Sequence, residues 1–90
     1  MRIVNARDLA HYVRARRLEL DMTQSRLAEA AGVSRRWLSG LEAGKPTAEI
    51  GLVLRVLNAL GLVFDASPEP SRPGRVDLDD IIRAHRQGDP

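Results

Sequence analysis

Ninety residues suit one compact domain, and a chain this short buries so little apolar surface that dimerisation would help its stability. The absence of cysteine excludes disulfides and thiolate metal sites, no apolar run approaches the roughly 20 residues of a membrane span, and the N-terminus lacks a secretory apolar stretch, so a cytoplasmic protein is expected. A net charge of +2 hides an asymmetry: residues 1–62 hold ten Arg or Lys against six Asp or Glu, and residues 63–90 hold four against six. A basic body with an acidic tail fits contact with nucleic acid through the body.

With aromatic content at 3%, the core must be built from Leu, Val, Ile and Ala. The first predicted helix runs from about Ala6 to Leu20, with Asn5 as N-cap. Leu9, Val13 and Leu20 share one face, and Arg16 and Arg17 lie between them. An arginine on an inward stripe is costly unless paired, so this pattern predicts a buried acidic partner elsewhere.

The second helix spans about Gln24 to Ala31, capped by Thr23, with Leu27, Ala28 and Ala31 inward. Gly32 supplies the positive φ that ends it, and Val33 anchors the turn. Ser34 caps a third helix that reaches about Glu42 with Leu38 and Leu41 inward. Two short helices joined by a tight turn, the second opening on Arg35 and Arg36, form an arrangement that lets one helix enter the major groove of DNA while the other braces it. Ala43-Gly44-Lys45-Pro46 breaks the chain again. A fourth helix runs from near Thr47 or Ala48 to Leu60. Its Ile50, Val53, Leu54 and Leu57 follow helical spacing, and Leu52, Val56 and Leu60 widen the apolar face enough to call for a second burial partner.

After Gly61, Leu62-Val63-Phe64-Asp65-Ala66 reads as a strand. A lone strand leaves its backbone groups unpaired, so its partner is either Ile3-Val4 or the same strand of a second copy. The second option also accounts for the surplus apolar face, and it places Leu62, Val63, Phe64, Ala66, Leu52 and Val56 in a dimer interface. Residues 67–75, rich in proline, read as a linker that bounds the 1–66 domain. Residues 76–90 form a tail in which Leu78, Ile81 and Ile82 keep helical spacing, with Asp77 as N-cap. It is too short to stand as an isolated helix, and is either disordered or folds on a partner.

From the first helix to the fourth, the chain resembles the Cro and phage-repressor type of helix-turn-helix, also called XRE. The carrying residues are Arg17, Thr23-Gln24, Leu27-Ala28, Gly32-Val33-Ser34, Leu38, Leu41-Glu42 and Gly44. The resemblance implies a mainly α fold, a phage-repressor-like domain of four to five helices with one short C-terminal strand pairing across a dimer. It also implies a structural ion pair between Arg17 and Glu42, the partner that the first helix demands on its own pattern. The run SRRWLSGLEAGKPTAEIGLVLRVLNALGL further resembles HipB-like antitoxins of toxin–antitoxin operons, over roughly residues 7 to 66. The tail after Ala66 is not covered. Helix three departs from many relatives at Gly40, where a longer side chain often reaches the groove.

The resemblance implies base reading by Arg35 and Arg36, suited to guanine O6 and N7, and phosphate contact by Gln24, which sits at a helix N-terminus that favours an anion. Ser34, Trp37, Ser39 and Lys45 are further candidates for phosphate contact, and Trp37 equally suits core packing. His11 and His85 stand alone, and Asp77, Asp79 and Asp80 suit helix capping and solubility. No nucleophile–base pair, metal spacing or phosphate loop is visible, so no enzyme, catalytic residue, cofactor or metal is expected. The expected function is a DNA-binding repressor on an inverted-repeat operator that also acts as an antitoxin to a HipA-like kinase, bound through Leu78, Ile81 and Ile82. The alternatives are a plain regulator without a toxin partner and an interaction module that has lost DNA binding.

Overall fold

The computed structural model describes residues 2–70 and 81–83. Four helices follow one another: α1 (Ala6–Glu19), α2 (Gln24–Ala31), α3 (Arg35–Glu42) and α4 (Ile50–Ala59). Residues 81–83 are helical too, whereas Leu78, Asp77 and His85 lie outside the described residues. The predicted caps form: the side chains of Asn5, Thr23 and Ser34 accept from the backbone N–H groups of Asp8, Arg26 and Trp37. Each satisfies one of the donors that a helix start leaves without a partner.

All four helices end on the same pair of backbone bonds. After α2, Gly32 N–H reaches Glu29 O and Val33 N–H reaches Ala28 O, with Gly32 at φ 72°. After α3, Gly44 N–H reaches Leu41 O and Lys45 N–H reaches Gly40 O. After α4, Gly61 N–H reaches Asn58 O and Leu62 N–H reaches Leu57 O. This is the Schellman ending, which needs a left-handed residue and folds the chain back across the last turn of its own helix. At the end of α1 that residue is Asp21, at φ 54°.

The core is aliphatic, as composition requires. Val13 from α1, Leu27, Ala28 and Ala31 from α2, Leu38 and Leu41 from α3, and Val53, Val56 and Leu57 from α4 with the adjoining Leu60 form one buried cluster. α2 packs against α3 and α4, and α1 packs against α3.

Several expectations need correction. α1 stops at Glu19, and Leu20 is exposed, because Ala10, Val13 and Arg17 take the inward stripe. α4 begins at Ile50, after an extended Glu49 whose carbonyl accepts from Leu52 and Val53 N–H. Its inward face is Val53, Val56 and Leu57, while Ile50 and Leu54 are exposed. Val56 is fully buried in the core of its own chain, so its side chain is not available to a second copy.

No strand forms among the described residues. Leu62 is tied back to α4, and beyond it Val63 is 89% exposed and Phe64 55%. The N-terminal segment lies across a cleft from residues 63–70, with Arg2 Nη2 3.5 Å from Glu69 Oε1 and no backbone ladder between the two among the described residues.

Asp21 holds a backbone region that costs an ordinary L-residue about 1–2 kcal/mol, and it puts a negative charge just past the C-terminal, negative end of α1. Asp21→Gly removes both penalties. It should raise the urea unfolding free energy by about 0.5–1 kcal/mol, allowing for the greater unfolded-state freedom of glycine.

Candidate nucleic-acid interface

α3 is held from its far end. The Arg17 side chain projects from α1 and meets the last residue of α3. Its Nε lies 2.8 Å from Glu42 Oε2 and its Nη2 lies 2.9 Å from Glu42 Oε1, a two-pronged pair. Arg17 Nη1 also donates to Met22 O at 2.8 Å, and Gln24 Nε2 donates to Glu42 Oε1 at 3.2 Å. The side chains of Arg17 and Glu42 are only 10% and 3% exposed. Parallel N–H···O bonds to a carboxylate fix orientation as well as distance, so the network sets α1, the start of α2 and the end of α3 in one relation.

Gln24 therefore has part of its amide engaged by Glu42, which orients the side chain expected to meet a phosphate. Ser34 Oγ accepts from Trp37 N–H at 3.0 Å, leaving its O–H as a donor. Arg35, Arg36, Ser39 and Lys45 are exposed, and none of them makes a side-chain hydrogen bond or ion pair among the described residues. Trp37 is half-buried: it packs against the core cluster and also lines the surface on either side.

The two arginines point to different neighbours. Residues four apart share a helix face, so Arg35 stands with Ser39 and Arg36 with Gly40. Arg36, Trp37, Ser34, Gly40, Lys45 and Thr47 line a cleft of about 400 Å³ between α3 and the chain that follows it. α3 thus offers an exposed, cationic N-terminal end on a helix whose other face is core.

A match to the family model described as "Helix-turn-helix domain" covers residues 8–66. The chain belongs to the helix-turn-helix family. Its fold is of the XRE type and HipB-like. It is 48% identical over 64 residues to the "Uncharacterized HTH-type transcriptional regulator y4mF" of Sinorhizobium fredii (strain NBRC 101917 / NGR234), a match spanning 71% of this chain and 84% of that protein. Among solved structures, a "HipB-O4 20mer complex" shares the fold with a TM-score of 0.70 at 22% identity, covering 74% of this chain and 94% of that one. An "MDT Protein" matches with the same score, identity and coverage.

Sequence reasoning did not anticipate two contacts of this helix-turn-helix unit. Arg16 Nε donates to Leu60 O at 3.1 Å, which satisfies a carbonyl at the end of α4 and explains the second arginine beside Arg17. The other is the approach of Lys45 to Gly40: a methyl group at Gly40 would stand 3.7 Å from Lys45 Cδ. Glycine and lysine five residues apart around Gly44 is the signal that a Schellman ending would have supplied.

Removing one member of the buried pair strands the other. Glu42→Ala should lower stability by about 3–5 kcal/mol in urea unfolding, whereas replacing Arg17 by Met and Glu42 by Leu together should cost less than either single change.

Proposed function

We propose that this protein is a sequence-specific DNA-binding transcriptional repressor that acts as a homodimer on an inverted-repeat operator. The observation that carries this is the exposed pair Arg35 and Arg36 at the start of α3, uncommitted to any carboxylate among the described residues and presented on a helix tied down by the buried Arg17–Glu42 network. A guanidinium free of partners suits bidentate contact with guanine O6 and N7. The hydroxyl proton of Ser34, the N-terminus of α2 with Gln24, and the flanking Trp37 and Ser39 suit phosphate contacts that fix register. The relative described as a transcriptional regulator supports the same reading.

The domain is residues 1–66, and its second copy docks on the apolar surface left open by Val63, Phe64 and the outer face of α4. Leu62 to Ala66 supplies unpaired backbone, and pairing with its equivalent would satisfy it. Leu52, Leu54 and Ile50 lie on the partly or fully exposed side of α4 and extend that surface. Two copies would set their α3 helices about 34 Å apart, in successive major grooves.

The finer part of the reading is an antitoxin role, with a HipA-like kinase as partner. It rests on the resemblance of residues 34–62 to HipB-like antitoxins and on the apolar pair Ile81 and Ile82, each 51% exposed beyond the 67–75 linker. A regulator without a toxin is the second reading, favoured by the description of the 48% identical relative.

Four measurements check the proposal. Affinity for the protein's own promoter should fall steeply between about 50 and about 200 mM salt, because binding releases counterions from phosphates. Arg35→Ala with Arg36→Ala should sharply reduce preference for that promoter over random duplex; an unchanged preference would remove Arg35 and Arg36 as readers. Phe64→Asp lies outside the core, so it should leave the helices folded, give a monomer in sedimentation and weaken promoter binding by at least about tenfold, the scale expected when two linked contacts become one. Deleting residues 67–90 should spare promoter binding and release a kinase encoded beside this gene; retention of that kinase by the truncated chain would refute the tail's role.

A further inference from the structure

The chain carries thirteen arginines and a single lysine, Lys45. Its position is unusually fixed for a loop residue. Lys45 N–H bonds to Gly40 O at 3.1 Å and Gly44 N–H to Leu41 O at 3.1 Å, so the chain after α3 is folded back over the helix's own last turn. In a Schellman ending the side chain after the left-handed residue lies against the residue that accepts its N–H. Here that acceptor is Gly40, and Lys45 Cδ lies at van der Waals distance, 3.7 Å, from where a Cβ would stand. The stem of Lys45 occupies the surface that a side chain at position 40 would cover.

That surface is on the reading side of α3. Gly40 lies four residues beyond Arg36, and Arg36, Gly40 and Lys45 line one cleft with Ser34 and Trp37. With α3 in a major groove, a glycine one turn past Arg36 leaves a gap between helix and base edges. Lys45 spans it with a flexible four-carbon stem that ends in three rotatable donors. Its ammonium has no partner among the described residues.

Resting on the DNA-binding reading above, we propose that Lys45 is a base-reading, specificity-determining residue: its ammonium passes over Gly40 into the major groove beside Arg36 and donates to guanine O6 and N7. The loop after α3 thus supplies the contact that α3 itself lacks, and operator choice depends on the Gly40–Lys45 pair rather than on α3 alone.

The test is selection from a randomised duplex pool by the full chain, followed by affinities for single-base variants of the selected site. Wild-type protein should prefer a G·C pair at one position per half-site that Arg35→Ala and Arg36→Ala leave intact. Lys45→Ala should reduce discrimination at that position by about tenfold and leave the others unchanged. Gly40→Ala, whose methyl fits beside the lysine stem, should keep the preference. Gly40→Gln should displace the stem and move the preference toward adenine, which a glutamine amide reads. Circular dichroism of each variant checks that the helices remain.

Three results would overturn the proposal. One is that Lys45→Ala weakens every sequence equally and lowers the salt slope by about one, which marks a phosphate contact. Another is that Lys45→Ala leaves both affinity and discrimination unchanged. If the wild-type chain selects no sequence at all, the DNA-reading function fails, and this proposal fails with it.

Discussion

A buried charge pair governs the architecture. Apolar packing is non-directional, and a core of Leu, Val and Ala gives little to distinguish one helix arrangement from another. The Arg17–Glu42 pair is directional. Two nitrogens meet two oxygens at 2.8 and 2.9 Å, the remaining guanidinium nitrogen meets the Met22 carbonyl, and Gln24 takes up one carboxylate oxygen as well. Neither charge is left wanting a partner, which is the condition under which such a pair is tolerated in an interior. Its effect reaches the surface because Glu42 is the last residue of α3 and Gln24 the first of α2. The elements that would face DNA are registered against each other by a contact that DNA does not touch.

The helix endings complete that registration. Each helix stops on bonds that turn the chain back over its own final turn, so the direction in which the next element leaves is set locally. Gly32 fixes the path from α2 into α3, with Val33 carried against the core. Gly44 does the same after α3, but there the returning residue is a lysine, and it lands on a glycine. One backbone device thus produces a core packing contact in one place and lays a lysine stem over a glycine of α3 in another.

How much of this was legible in the sequence depended on whether a pattern was local. The bounds of α2 and α3, their Thr23 and Ser34 caps, and the Gly32 turn follow from neighbouring residues, and all form as expected. An inward arginine requires a distant acid, and the family resemblance names Arg17 and Glu42 as that pair, which the structure contains. The inward face of α4 was not. Ile50, Leu52, Val53, Leu54, Val56 and Leu57 leave hardly any polar side to orient the helix, so Val56 was assigned outward although it is fully buried. Leu20 keeps the helical spacing of the inward stripe but lies one residue past the end of α1, so its side chain is exposed. The strand expected at Leu62 to Ala66 could not form from local pattern alone, since its ladder needs a second strand. Lys45 over Gly40 escaped notice because it arises from turn geometry rather than from periodicity.

The central claim is that α3, registered by the buried pair and extended by the turn that follows it, is the surface that meets DNA. The most direct measurement is an amide NMR titration of the chain with a duplex from its own promoter. The account predicts shifts concentrated at Thr23 to Arg26, Ser34 to Gly40 and Gly44-Lys45, with those of the core-facing residues of α4 near their free positions. Shifts centred on α1 or α4, with the Ser34 to Gly40 amides unmoved, would contradict it.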